Sequence, residues 1–208
     1  MSPFLLALLL AAPQDQSAVL DSLAAAGRAL KTMKADFTQT KVLALLDERE
    51  QASGKLLLEI PGRFRWDYTL PQESVMLVRD GIFERYFPKT KQVFRGQAKG
   101  DADLLVGFGP GAEGLSKKYD VTLVGDEAVK GRPAWILDLK PRPEQATSSL
   151  FKSIRLWVDK SRGIPSQTEL TEPTSDSTTI RFDHVVVNGH LGKGAFELKL
   201  PKDAVEVQ

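Results

Sequence analysis

Polar and apolar positions change rhythm once along the chain. Over Gln14–Met33, Val19, Leu23, Leu30 and Met33 recur at helical spacing in an alanine-rich stretch, with Ala26 between them. That spacing predicts one helix, with Ser17 as its N-cap and Gly27 as a weak point. From Ala35 onward, period-two runs take over, broken by Gly, Pro and Asp. The candidate strands are "ADFTQTKVLAL", "GKLLLEI", "RFRWDYT", "SVMLVRD", "FERYFP", "QVFRG", "YDVTLVG", "AWILDLK", "SIRLWVDK", "SQTELTE", "STTIRFDHVVV" and "FELKL". The short gaps between them predict antiparallel neighbours rather than parallel strands joined by crossover helices. Asp80–Gly81 predicts a tight hairpin, Pro61–Gly62 a turn, and Asp159–Gly163 a turn between two strands. The strands are interrupted at Asp101–Lys118, "DADLLVGFGPGAEGLSKK". Its start predicts a short helix capped by Asp101, and its glycines and Pro110 predict a loop for the rest. Pro141–Ser149 is a second irregular stretch.

The alternation also assigns faces, because successive strand residues point to opposite sides. One face takes Leu56, Leu58 and Ile60, then Phe64, Trp66 and Tyr68, then Met76 and Val78. It continues with Trp135, Leu137 and Leu139, with Ile154, Leu156 and Val158, and with Ile180, Phe182, His184 and Val186. The other face takes Lys55, Glu59, Arg63, Arg65, Asp67, Arg79, Asp138, Arg155, Asp159, Arg181 and Asp183. The expected fold is therefore α+β: one large antiparallel sheet, apolar on one side and charged on the other, preceded by a helix. A sheet of this size curls. It would enclose either a packed core or a cavity roofed by the helices.

Composition narrows the function classes. The chain has 208 residues, a net charge of +1, 26% charged and 42% hydrophobic residues. These values fit one folded domain, expected over residues 13–208. The near-zero charge argues against nucleic acid as a partner. With no cysteine, disulfides, thiolate nucleophiles and Cys-based metal sites are excluded, and two histidines make a multi-histidine metal site a poor expectation. "FLLALLLAA" (Phe4–Ala12) is too short to span a bilayer and matches the apolar region of a secretory signal, so residues 1–12 are expected to be a signal peptide. Catalytic patterns are weak. There is no G-x-S-x-G, Walker loop or H-E-x-x-H. "GFGPG" (Gly107–Gly111) follows no Rossmann-type strand and reads as a loop. His184 is expected to be a hydrogen-bonded core histidine, His190 to be solvated, and Glu84 to be ion-paired at the surface.

Several motifs in fixed order carry a resemblance. "ADFTQT" follows the first helix, "GKLLLEIPGRFRWDYTLP" comes next, and then "VRDGIFERYFPKTKQV". "LWVDKSRGIPSQTEL" and "FELKLPKDAVEV" complete the series. Together they resemble the periplasmic outer-membrane lipoprotein carrier family, LolA, from Gln14 onward. The resemblance implies an incomplete antiparallel barrel with helices as a lid over an apolar cavity. It implies a periplasmic carrier, not an enzyme, that shields acyl chains of lipoproteins and delivers them to the outer membrane. The implied partners are acylated lipoproteins, an inner-membrane lipoprotein-releasing transporter and an outer-membrane acceptor. No cofactor is implied, and a monomer is expected. The lipid-binding wall would comprise Phe37, Leu56, Leu58, Ile60, Phe64, Trp66, Tyr68, Met76, Val78, Trp135, Leu137, Leu156 and Phe182. Where the family often carries a basic lid residue before the motif proline, this chain has Ile60. Arg63 and Arg65 are the candidate replacements for that latch, although alternation points both outward. Glu84 stands where the family usually has an aromatic. Two other readings are a lipid- or lipoprotein-sensing binding module of the same superfamily, and an enzyme on a similar barrel. Capture of a membrane signalling protein would favour the first, and turnover abolished by one carboxylate or serine substitution the second.

Overall fold

The computed structural model describes residues 15–98, 108, 111–146 and 149–207. The apolar leader, the Asp101-capped helix and most of "GFGPG" lie outside the described residues. Helix α1 covers Gln16–Ala29. Its N-cap is Asp15 rather than Ser17: the Asp15 carboxylate accepts from the Ser17 N–H at 2.9 Å. Ser17 already lies inside the first turn, so it donates to the cap instead of forming it. The helix stops at Leu30, which is extended. Met33, expected on the helix, is buried at the start of the first strand instead.

The strands are β1 (Thr32–Leu43), β2 (Glu48–Glu59), β3 (Arg63–Leu70), β4 (Ser74–Arg79), β5 (Ile82–Phe87), β6 (Gln92–Gln97), β7 (Tyr119–Val129), β8 (Arg132–Pro141), β9 (Ser153–Asp159), β10 (Pro165–Thr171), β11 (Ser177–Val187) and β12 (Val205–Val207). They form one curved twelve-stranded sheet in the order β12-β6-β5-β4-β3-β2-β1-β11-β10-β9-β8-β7. Neighbours are antiparallel except β12 and β6, which are parallel. The sheet does not close. Its edges are β12 and β7, so it is the open, incomplete barrel expected from the sequence. At the β4–β5 hairpin both turn residues are left-handed, Asp80 at φ 52° and Gly81 at φ 77°, the conformation that an Asp-Gly pair adopts readily.

One glycine fixes an approach of two strands. A Cβ on Gly54 would lie 1.9 Å from the Asp67 carbonyl oxygen, so β2 and β3 could not meet there with any side chain at this position. Gly54 also pairs with both Phe37 and Tyr68, whose rings lie edge to face with centroids 5.1 Å apart.

Three further expectations are corrected. His184 is not a core residue. It sits in a bulge where His184 and Val185 of β11 stand opposite Ala35 alone, with φ 49°, and its side chain is largely exposed. The bulge inverts the alternation, so Val185 packs against the core and Val186 is exposed. "FELKL" is not a strand. Residues 193–196 turn, and the closing strand is Val205–Val207. Finally, α2 spans Gly111–Lys118, where glycines predicted a loop. Pro110 directly precedes it in sequence, a placement compatible with helix entry. A short helix α3, Pro143–Ala146, lies in the second irregular stretch.

The outer face is less uniformly charged than alternation implies. Leu77, Tyr86 and Val93 are buried there, opposite the inner row. The carboxyl-terminal tail lies across them. Arg65 donates to the carbonyls of Ala195 (3.2 Å) and Glu197 (2.9 Å), Arg79 donates to that of Phe196 (3.2 Å), and Phe196 is itself buried. Glu84 is paired, as expected, but buried rather than at the surface. It accepts from Arg95 at 2.9 Å, with Arg79 at 3.7 Å.

Candidate functional site

The inner face forms one contiguous apolar cluster. Phe37, Leu56, Leu58, Phe64, Trp66, Met76, Val78, Leu137, Leu156 and Phe182 are buried in it, and Ile60, Tyr68 and Trp135 pack against it partly exposed. Register explains their meeting. Leu56 stands opposite Trp66, and Trp66 opposite Met76. On the far side of the sheet Leu137 stands opposite Leu156. Rings then interlock. Phe37 meets Trp66 edge-on at 4.6 Å and Tyr68 at 5.1 Å, and Trp66 lies 6.2 Å from Phe182.

The cover comes from three segments. Val19 and Leu23 of α1 and Leu115 of α2 join the same cluster. Phe108, from the segment between β6 and α2, meets Phe182 edge-on at 5.4 Å. Burying each such side chain contributes about 1.5–3 kcal/mol, so the cover is held chiefly by area. Polar fastenings sit at the ends of α1. The Gln16 amide bonds both the Val121 carbonyl (3.0 Å) and the Leu123 N–H (2.9 Å) on the edge strand β7. At the other end the Asn188 amide donates to the Ala29 carbonyl (3.0 Å) and accepts from the Lys31 N–H (2.7 Å). Midway, the helix rests on the "DKSRG" turn. Gly163 has φ +66°, and a Cβ there would meet Ala26 and the Ser22 carbonyl at 2.9 Å.

Polar groups on the inner face are few. The Tyr68 hydroxyl donates to Gln39 at 3.4 Å. Burial pushes the Tyr68 phenol above its usual pKa, and the neighbouring Arg85 guanidinium pulls the other way. Arg85 stands opposite Met76 and so shares the inner face. Its guanidinium carbon lies 5.8 Å from the centre of the Tyr68 ring and 5.0 Å from that of Phe87. Trp66 Nε1 and Arg85 Nε are buried, and neither has a hydrogen-bond partner among the described residues.

Arg63 and Arg65 lie on the other side of the sheet. Arg63 pairs with Glu59 at 3.2 Å and Asp80 at 3.6 Å. Arg65 forms a two-oxygen contact with Asp67 at 2.9 Å besides its bonds to the tail. These partners fasten strand to strand and strand to tail, whereas α1 is fastened by Gln16 and Asn188. Among the described residues no group of three His, Asp or Glu side chains could hold a metal ion, and no helix is long and apolar enough to cross a membrane.

Sequence reasoning missed Phe108, Leu115 and Arg85. Arg85 was legible, because in "FERYF" it shares a face with Phe83 and Phe87. Phe108 and Leu115 sit in a glycine-rich stretch with no clean period, so nothing local marks them as cover.

The family described as outer membrane lipoprotein carrier protein LolA matches residues 28–199. An outer-membrane lipoprotein carrier protein of Chromobacterium violaceum is 31% identical over 199 residues, covering 93% of this chain and 88% of that protein. Among solved structures, an uncharacterized conserved protein of Thermus thermophilus superposes with a TM-score of 0.61 at 14% identity, covering 93% of this chain and 99% of that one. The Mycobacterium tuberculosis lipoprotein LppX gives 0.51 at 12% identity, covering 86% and 99%. These two likenesses establish a shared fold.

Proposed function

The chain belongs to the outer membrane lipoprotein carrier family LolA, and from that premise we propose that it shields lipoprotein acyl chains and carries them through the periplasm. The cargo would be received from an inner-membrane transporter and passed to an outer-membrane acceptor. The observation that carries this reading is the inner wall. A continuous row of aromatic and branched side chains is covered by α1, whose polar fastenings lie at its ends, and by α2, not by a closed sheet.

The energetics favour such a device. Each methylene moved out of water gains about 0.8 kcal/mol, so an anchor with several acyl chains cannot cross an aqueous space bare. Acyl chains would enter by replacing the contacts of α1, α2 and Phe108 with the wall. The exchange of one apolar surface for another keeps net affinity moderate, and a carrier must also release. No catalytic step and no cofactor are required of the protein itself.

The test uses lipid-extracted protein. It should bind a fluorescent fatty-acyl probe saturably and solubilise a triacylated lipoprotein from spheroplast membranes. Failure in both assays would reject the carrier reading.

A further inference from the structure

Two donors on the inner wall have no acceptor among the described residues. Trp66 is 1% exposed, and its indole N–H lacks an acceptor among the described residues. Buried polar groups in folded proteins are almost always paired, and here a phenylalanine would fill much of the same space without an idle N–H. The second is Arg85 Nε, equally buried and without a partner among the described residues. The guanidinium faces two aromatic rings rather than a carboxylate.

These donors belong together. Trp66, Met76 and Arg85 form one cross-strand row over β3, β4 and β5. Two strand spacings separate the outer members, about 10 Å of backbone. Tyr68 fills the interval. It stacks on Trp66 with centroids 6.4 Å apart, and the Arg85 guanidinium lies 5.8 Å from the centre of the same Tyr68 ring. The Tyr68 hydroxyl is committed to Gln39. A hydrocarbon wall thus contains two hydrogen-bond donors to which the described residues offer no acceptor.

We propose that Trp66 and Arg85 form an oxygen-acceptor subsite that takes the ester carbonyls joining acyl chains to glycerol in a diacylglyceryl anchor. The proposal rests on the carrier reading above and adds which part of the lipid is recognised. A neutral carbonyl travels with its chain into an apolar site without bringing a charge that must be desolvated. Trp66 supplies a neutral donor deep in the wall. Arg85, a partly exposed residue, supplies a charge-assisted donor. Ether-linked chains have the same hydrocarbon but lack the carbonyl, so the subsite should discriminate between them.

The experiment displaces a fluorescent fatty-acyl probe from the lipid-extracted full chain with a 1,2-diacylglycerol or with the 1,2-dialkylglycerol of equal chain length. The ester should bind at least about fivefold tighter, the ratio one net hydrogen bond carries. Trp66→Phe and Arg85→Met should each lower the ester-to-ether ratio, and the double variant should bring it within about twofold of unity. In the unsubstituted protein the Trp66 indole ¹⁵N–¹H resonance should move downfield with the ester and not with the ether, a readout independent of how the variants fold. Equal affinities for the two lipids overturn the subsite while leaving the carrier reading intact. A ratio untouched by both substitutions, or an indole resonance indifferent to the linkage, does the same. If neither lipid displaces the probe and the probe itself fails to bind, the carrier reading falls first.

Discussion

On the inner side of β3–β5, Trp66 and Arg85 hold donors with no acceptor among the described residues, and the surrounding contacts are between rings and branched chains. On the outer side of the same strands, Glu84 lies between Arg95 and Arg79, Arg65 grips Asp67 and two tail carbonyls, and Leu77 is sealed beneath the tail. Area holds the first side, and directional bonds hold the second. Apolar area tolerates exchange for other apolar area, whereas ion pairs and hydrogen bonds are lost outright when their partners separate. The sheet therefore has a side suited to being uncovered and a side suited to staying closed.

Substitutions can break or sharpen that contrast. The largest effect is expected from Phe37→Ala, which removes the ring that meets both Trp66 and Tyr68. It should lower stability by about 3–5 kcal/mol, read from denaturant unfolding, and should weaken fatty-acyl probe binding at temperatures where the protein remains folded.

Asp159→Asn comes next. Asp159 is 2% exposed. Burial would raise its pKa, but the Ser161 hydroxyl and N–H, the Arg162 N–H and Arg132 together hold it below its ordinary value. A depressed folded pKa stabilises above the unfolded value, near 4, and that stability disappears as pH falls through the folded value. The variant should be about 1–3 kcal/mol less stable at pH 7, with the gap narrowing under acid. A gap constant from pH 7 to pH 2 would contradict the assignment.

Arg65→Ala should cost about 1–2 kcal/mol and make residues 191–200 more sensitive to limited proteolysis, with acyl-probe binding unchanged. The smallest effect belongs to Arg63→Ala, whose half-exposed pairs are worth less than about 1 kcal/mol. If either arginine variant shifted probe affinity as much as Phe37→Ala, the two sides of the sheet would not be independent, as a lid latch at Arg63 or Arg65 requires.

The inner wall was legible in sequence wherever alternation ran unbroken. "RFRWDYT" placed Phe64, Trp66 and Tyr68 correctly because a single-residue error would have turned three aromatics to water. Alternation failed at His184 because a bulge adds one residue to β11, and only the pairing with Ala35 reveals it. It also failed for Leu77 and Glu84. Their burial depends on a tail over a hundred residues away, and a local period carries no record of it. The cover was half visible. The apolar spacing of α1 announced Val19 and Leu23, but Leu115 stands in a glycine-rich stretch whose helical state is decided by packing.

Asn188 has a consequence beyond capping. It directly follows β11, receives the backbone of Lys31, and holds the last carbonyl of α1 through its other amide atom. The lid on one side of the sheet and the strap on the other thus leave from a single pivot. Continuity into β1 makes this end of α1 the stationary one, while the polar fastening of the Gln16 end is one side-chain amide added to the packing of Val19. Any swing of the helix away from the wall therefore has its long arm over β7, and the gap it opens widens toward the unpaired edge of the sheet.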